Sequence, residues 1–240
     1  MIQRTSADQV INLAKLEIED YESVRERIVI RAVNKKRSMS LLKDTPHLDM
    51  LDLTLFCYID LGITDDGWTQ AVRVRERHLE LWDITKARLF DDALENTPHC
   101  LPPLFAPLDE VMTGINENYA GDFTEDGYPR SEGLPLSFIL TNMRKRYGAC
   151  TLFYPGLLEE VYSKIGAFYI LPGSIHELFL IRDKEFIDPE GLAKVVMDVN
   201  QCEEMIPEYL SDHLYYYGGK DVPLQIVSDS CGFSDELSCL

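Results

Sequence analysis

Between residues 149 and 217 short apolar runs alternate with amphipathic stretches, and few architectures accept that order. Residues 149–154 read as a strand. Pro155 opens a helix whose apolar face is Leu157, Leu158, Val161, Tyr162 and Ile165, and Gly166 closes it. Residues 168–171 and 177–181 read as two strands around the turn Pro172-Gly173-Ser174. Asp188 caps a second helix with Pro189 at its first position, and the apolar face is Leu192, Val195, Val196 and Val199. Residues 213–217 read as the last strand. The order β-α-β-β-α-β is that of a split βαβ unit, a small antiparallel sheet with helices on one face. The chain is therefore assigned to the α+β class, with a mostly antiparallel sheet and packed helices.

The first half carries a weaker pattern. Ser6 and Gln9 form a capping box ahead of Val10, Leu13, Ala14, Ile18 and Tyr21 at helical spacing. Residues 27–33 alternate as a strand would, although Val29 breaks the pattern and a helical continuation from Glu22 competes. Residues 51–61 are a dense apolar run, read as a buried strand, and 62–67 are a turn after which 69–75 pair back. Residues 78–96 read as one helix ended by Pro98, Pro102 and Pro103, and 108–111 as a short helix. Residues 114–133, rich in glycine and carboxylates, are the best linker or surface loop. The expected organisation is an N-terminal α+β subdomain over 1–113, the acidic loop over 114–133, a split βαβ subdomain over 134–217 and a poorly ordered tail over 218–240.

Charge narrows the function. Of 240 residues, 41 are acidic and 23 are lysine or arginine, a formal net charge of −18. That field repels nucleic acid and anionic membrane surfaces and is compatible with a basic protein partner, while the plainer reading is that it keeps the chain soluble. No apolar run reaches the roughly 18 residues of a membrane span, and the first ten residues lack the apolar centre of a signal peptide. The six cysteines have no metal-knuckle or dithiol spacing, so they are read as reduced thiols of a cytoplasmic protein, with Cys57 and Cys150 in the core.

Each chemical motif meets an obstacle. Asp122, Thr124, Asp126 and Gly127 fit the start of a calcium loop, but the twelfth place is Gly133 and Pro129 interrupts it. Ser174, His176 and Glu177 lie together, yet strand geometry turns Glu177 away from the other two and no glycine elbow surrounds Ser174. His47, His78, His99 and His213 have no ligand partners at helical spacing. Tyr215-Tyr216-Tyr217 suits a half-buried strand better than a base-stacking platform in so acidic a chain. No catalytic, cofactor or metal residue is assigned, and no cofactor is expected. The one candidate surface site is Asn142, Ser174, His176 and Glu177.

Several short motifs occur in a fixed order: His78-Leu79-Glu80-Leu81-Trp82, Glu95-Asn96-Thr97-Pro98, Leu140-Thr141-Asn142, Tyr147-Gly148-Ala149-Cys150, Tyr154-Pro155-Gly156-Leu157-Leu158, Tyr169 to Glu177, and Leu210-Ser211-Asp212. In this the chain resembles domain-of-unknown-function family 5688 of Firmicutes over residues 28–217. It is less specifically similar to the bacillus family typified by YtpQ. Gly173 stands where the resemblance implies a second serine, and the resemblance implies extra N-terminal sequence that is missing or altered here. Neither family implies an activity, so no catalytic residue is carried over. The leading expectation is a non-enzymatic protein-interaction module of bacterial origin, in one version a nucleic-acid mimic that inhibits or regulates a basic protein. The alternative is a small-molecule hydrolase with a site assembled from distant residues near His176.

Overall fold

The computed structural model of the protein describes residues 18, 20–63, 69–112, 135–201 and 208–227. They form two antiparallel sheets around a shared core. The first sheet joins β1 (Ile28–Asn34), β2 (His47–Met50), β3 (Leu53–Ile63) and β4 (Thr69–Arg73). β3 is its axis: β1 lies along one edge, while β2 and β4 share the other, opposite the two ends of β3. Short helices α1 (Tyr21–Val24) and α2 (Met39–Leu42) flank β1.

Residues 78–96 do not form one helix. α3 (Glu76–Trp82) stops where Asp83 turns left-handed at φ 52°, and α4 (Lys86–Cys100) restarts behind the Thr85 cap. Pro98 does not end α4. It lies inside the last turn, which closes beyond it through the bond from Leu101 N–H to Thr97 O at 2.8 Å. Thr97, fully buried, accepts a hydrogen bond from Ile30 N–H at 3.0 Å, and Asn96 Nδ2 reaches Arg25 O at 2.7 Å. Helix α4 thereby covers the free edge of β1, where unpaired backbone groups would otherwise face solvent.

The second sheet has the order β10-β9-β7-β8-β6-β5. Its strands are β5 (Pro103–Pro107), β6 (Ser137–Asn142), β7 (Phe168–Pro172), β8 (Leu178–Arg182), β9 (Tyr215–Tyr217) and β10 (Gln225–Ile226). α5 (Leu108–Met112) follows β5, α6 (Leu157–Ile165) precedes β7, and α7 (Pro189–Asn200) follows β8. β6 and β7 run parallel with β8 between them, and β8 and β9 run parallel with β7 between them. The split β-α-β-β-α-β order is present, but its first strand is β6. Residues 148–153 are instead a buried 3-10 helix, Gly148–Phe153, closed by Thr151 Oγ1 to Gly148 O at 2.7 Å and Tyr154 N–H to Thr151 O at 3.1 Å. A short continuous apolar run fits a buried helix as well as a strand.

The two helices occupy opposite faces of this sheet, not one. α6 joins Phe168, Ile170, Leu178 and Leu180 in the core shared with Ile28, Ile30, Leu53, Leu55 and Ile59 of the first sheet. α7 closes the other face over Leu171 and Leu214. Its inward stripe is the half-buried Leu192 with the buried Val196 and Asn200, spaced by four; Val195 and Val199, assigned to the apolar face, are exposed. Asn200 sets this rotation by donating to Ser211 O at 2.8 Å and Asp212 Oδ1 at 3.0 Å. β9 is not the last strand, because β10 pairs with it in the stretch assigned to the tail. Among the described residues no helix is long and apolar enough to cross a membrane. The acidic loop with its calcium-like pattern, the capping box at Ser6, Cys202, Cys231, Cys239 and residues 228–240 lie outside the described residues.

Candidate functional site

The four residues singled out from the sequence come together, at a joint between the end of β6 and the turn that joins β7 to β8. Asn142 ends β6 fully buried; its Oδ1 accepts Arg144 N–H at 3.0 Å and its Nδ2 donates to Arg146 O at 2.9 Å. The short side chain thus holds a tight turn in which Lys145 and Tyr147 take left-handed φ values of 52° and 54°. His176 Nδ1 accepts Tyr147 N–H at 2.9 Å, which places the imidazole proton on Nε2, 3.4 Å from Glu208 Oε1. The His176 carbonyl receives Gly148 N–H at 3.0 Å and Thr141 Oγ1–H at 2.7 Å. Ser174 is also buried; it donates to Glu177 Oε1 at 2.7 Å and accepts His176 N–H at 2.9 Å. Asn142 and Ser174 are therefore interior groups, and their hydrogen-bonding capacity goes to the turn. Gly173 lies under Phe179: a Cβ there would stand 2.5 Å from Phe179 Cε2, which leaves no room for a serine beside that ring as it is placed.

Gly148 is where the joint is tightest. A Cβ at this position would fall 2.5 Å from His176 O and 2.8 Å from Asn142 N, and closer still to Thr141 Oγ1. Only glycine lets the start of the 3-10 helix pass between the end of β6 and the 174–177 turn.

What the joint supports is a cleft lined by Val29, Arg31, Asp60, Ala71, Leu101, Arg144, Arg146 and Tyr147. It holds about 330 Å³, counting the part open to solvent. Its floor is the face of the first sheet turned away from α4, and its rim is the 142–147 turn. The Arg31 guanidinium lies between two rings, 3.9 Å from the Tyr58 centroid and 3.7 Å from the Tyr147 centroid. A bulge in β3 between Asp60 and Gly62 aims Asp60 inward; its Oδ1 accepts Gly62 N–H at 3.1 Å, and Arg144 Nη2 sits 2.7 Å from Oδ2. Gly62, at φ 93°, takes the backbone angle the bulge needs. Of these lining residues, the sequence singles out Val29, as a break in strand alternation, and Tyr147, as the start of the motif Tyr147-Gly148-Ala149-Cys150.

A second constellation also went unnoticed. Asp52, in the turn before β3, receives Ser211 Oγ–H at 2.6 Å and Tyr215 O–H at 2.7 Å, and lies 3.0 Å from His213 Nδ1. Burial pushes this carboxyl's pKa up, but the hydrogen bonds from His213, Ser211 and Tyr215 outweigh it and hold the group below the ordinary carboxylate value. Serine, histidine and aspartate are all present, yet the serine proton goes to the carboxylate and not to the imidazole. That is the opposite of a nucleophile–base pair. The cluster ties the first sheet to β9, with Asn34 Nδ2 to Leu210 O at 3.0 Å beside it.

Among the described residues, Cys57 and Cys150 are buried and Cys100 is half-buried. Burial raises the pKa of Cys57, pushes Cys150 up to about 11 and raises that of Cys100, all away from the thiolate form. Among the described residues, no group of three or more histidine, cysteine or acidic side chains is placed to hold a metal ion.

No curated protein and no solved structure matches the chain. A family model does match it, over residues 1–218, and so takes in the first 27 residues as well as the stretch that carries the motifs. The chain belongs to that family, the family of unknown function DUF5688.

Proposed function

We propose that this protein is a non-enzymatic interaction module that meets a basic protein partner through its acidic outer surface. The observation that carries the reading is how its reactive-looking side chains are used. The Ser174 hydroxyl is committed to Glu177, His176 Nδ1 to a backbone N–H, and the Ser211 hydroxyl to Asp52. A hydrolase centred on His176 needs that imidazole to take a proton from a hydroxyl, and its Nδ1 lone pair is already engaged. The net charge of −18 then supplies long-range attraction for a basic surface. Exposed carboxylates such as Asp91 and Glu95 on α4 and Glu159 and Glu160 on α6 spread it over separate faces. One version of the reading places the partner's nucleic-acid groove against this surface. The module works in the cytoplasm, where its thiols stay reduced.

Affinity capture with the full chain, from a lysate of the organism that makes it, tests the reading at low and at high salt. Partners retained at low salt should be released within the range where the screening length falls below about 8 Å. Retention indifferent to salt, or no partner at low salt, would sink the electrostatic reading.

A further inference from the structure

We infer that the cleft beneath Tyr147 is a receptor for a phosphate-type dianion, the phosphate of a monoester or inorganic phosphate itself. This rests on the cleft alone and not on the identity of any protein partner.

Three arginines, Arg31, Arg144 and Arg146, line this cleft, and one acidic residue, Asp60, opposes them. Two positive charges remain, in a chain whose formal charge is −18. Carboxylates are in large excess over the whole molecule, yet among the described residues none pairs with Arg31 or Arg146. Arg31 uses the two faces of its guanidinium against Tyr58 and Tyr147, at 3.9 and 3.7 Å. Ring stacking occupies the faces of the guanidinium and leaves its N–H edge as the donor surface. A fork held in this way has lost its rotamer freedom before any ligand arrives, which lowers the entropic cost of binding.

The rim is as firmly built as the floor. Arg144 and Arg146 stand on the turn held by Asn142, and Tyr147 is fixed from behind by its N–H bond to His176 Nδ1 and by ring contact with His176 at 5.2 Å. Arg144 is also braced by Asp60, so Arg31 and the exposed Arg146 are the groups free to take a ligand oxygen. A phosphate monoester carries about 1.5 to 2 negative charges at neutral pH and three acceptor oxygens, which matches two arginine forks better than a single carboxylate does. Val29, Ala71 and Leu101 provide apolar wall beside the guanidinium groups, which strengthens each charge-assisted bond by excluding water.

Isothermal titration of the full chain with inorganic phosphate, against acetate at matched ionic strength, tests the assignment. Wild-type protein should bind phosphate saturably and acetate far more weakly. Arg146→Ala, at an exposed position that does not threaten folding, should weaken phosphate binding at least about tenfold, the loss of one charge-assisted contact. Arg31→Lys, which keeps the charge but loses the stacked fork, should weaken it similarly. Lys194→Ala, on the exposed side of α7, should leave it unchanged. Absence of saturable phosphate binding by the wild type, or binding that Arg146→Ala does not affect, would overturn the site. Acetate binding as tightly as phosphate would overturn the dianion class.

Discussion

Replacing Gly148 with alanine tests the joint on which both the turn and the cleft depend. The added methyl would meet two backbone atoms, His176 O at 2.5 Å and Asn142 N at 2.8 Å, besides Thr141 Oγ1. Neither backbone atom can swing aside as a side chain can, Asn142 N being in paired β6 and His176 in the turn that joins β7 to β8, so the 3-10 helix itself must retreat. Retreat stretches the bonds from Gly148 N–H to His176 O at 3.0 Å and from Ala149 N–H to Ile175 O at 3.2 Å. Overpacking of this kind costs about 1–3 kcal/mol, and each of the two weakened bonds adds about 1 kcal/mol. A total of about 3–5 kcal/mol follows, a large part of the 5–15 kcal/mol that holds a typical domain. Urea unfolding followed by tryptophan fluorescence reads it as a lower midpoint at constant slope. Adding Thr141→Ala removes the closest obstacle and leaves the two backbone ones, so the double variant should recover only part of the loss. A Gly148→Ala protein within about 1 kcal/mol of wild type would refute the close passage. Full recovery in the double variant would reduce the joint to a single side-chain clash.

The other predictions concern the ties around that joint. Asp52→Ala leaves the buried donors of Ser211 and Tyr215 without an acceptor and should cost about 3 kcal/mol, whereas His213→Ala, exposed on the same cluster, should cost under about 1 kcal/mol; equal losses in urea unfolding would reject the aspartate as the hub. His78 is buried against Trp82 and accepts Arg75 N–H through Nδ1 at 3.1 Å; burial first, then the charges of Arg77 and Arg75, lower its pKa below the usual 6.5. Stability should therefore be undiminished above pH about 6.5 and decline as the pH falls below it, because the unfolded chain takes up the proton more readily; His78→Gln should flatten that limb, and an unchanged pH profile would count against it. Thr97→Val keeps the shape but strands Ile30 N–H, so amide exchange at Ile30 should accelerate with a loss of about 1–2 kcal/mol; unaltered exchange there would show that α4 does not cap the β1 edge.

How legible each part was follows from where its information lies. Asp188-Pro189 fixes the start of α7 locally, by a side-chain bond to Glu190 N–H at 3.1 Å and a preset φ, and the sequence reading placed it correctly. The rotation of α7 was not legible, because Asn200 sets it through Ser211 and Asp212, beyond the helix end. Val29 looked like an error in the alternation of β1. It is buried because that face of the first sheet is roofed by a turn more than a hundred residues away. Residues 148–153 carried no period to read, being buried on every side. The cleft was invisible for the same reason: Arg31, Asp60 and Arg144 come from three segments, and no spacing along the chain links them.

The motifs that carry the family resemblance converge on structure and not on chemistry. Leu140-Thr141-Asn142 supplies the end of β6, Tyr147-Gly148 the close passage, Ser174 to Glu177 the turn that receives it, and Leu210-Ser211-Asp212 the tie to Asp52 and Asn200. The first three spend their polar groups on one another around the end of β6, and the last ties β9 to the first sheet through Asp52. The cleft lies where the two sheets meet: its floor is β1, β3 and β4, its rim is the turn after β6, and Tyr147 on that rim is bonded to His176 behind and stacked on Arg31 in front. Side chains that point off the joint, Arg31 and Arg146 above all, are therefore the positions where binding can differ while the fold stays the same, and the phosphate titration is aimed at those two.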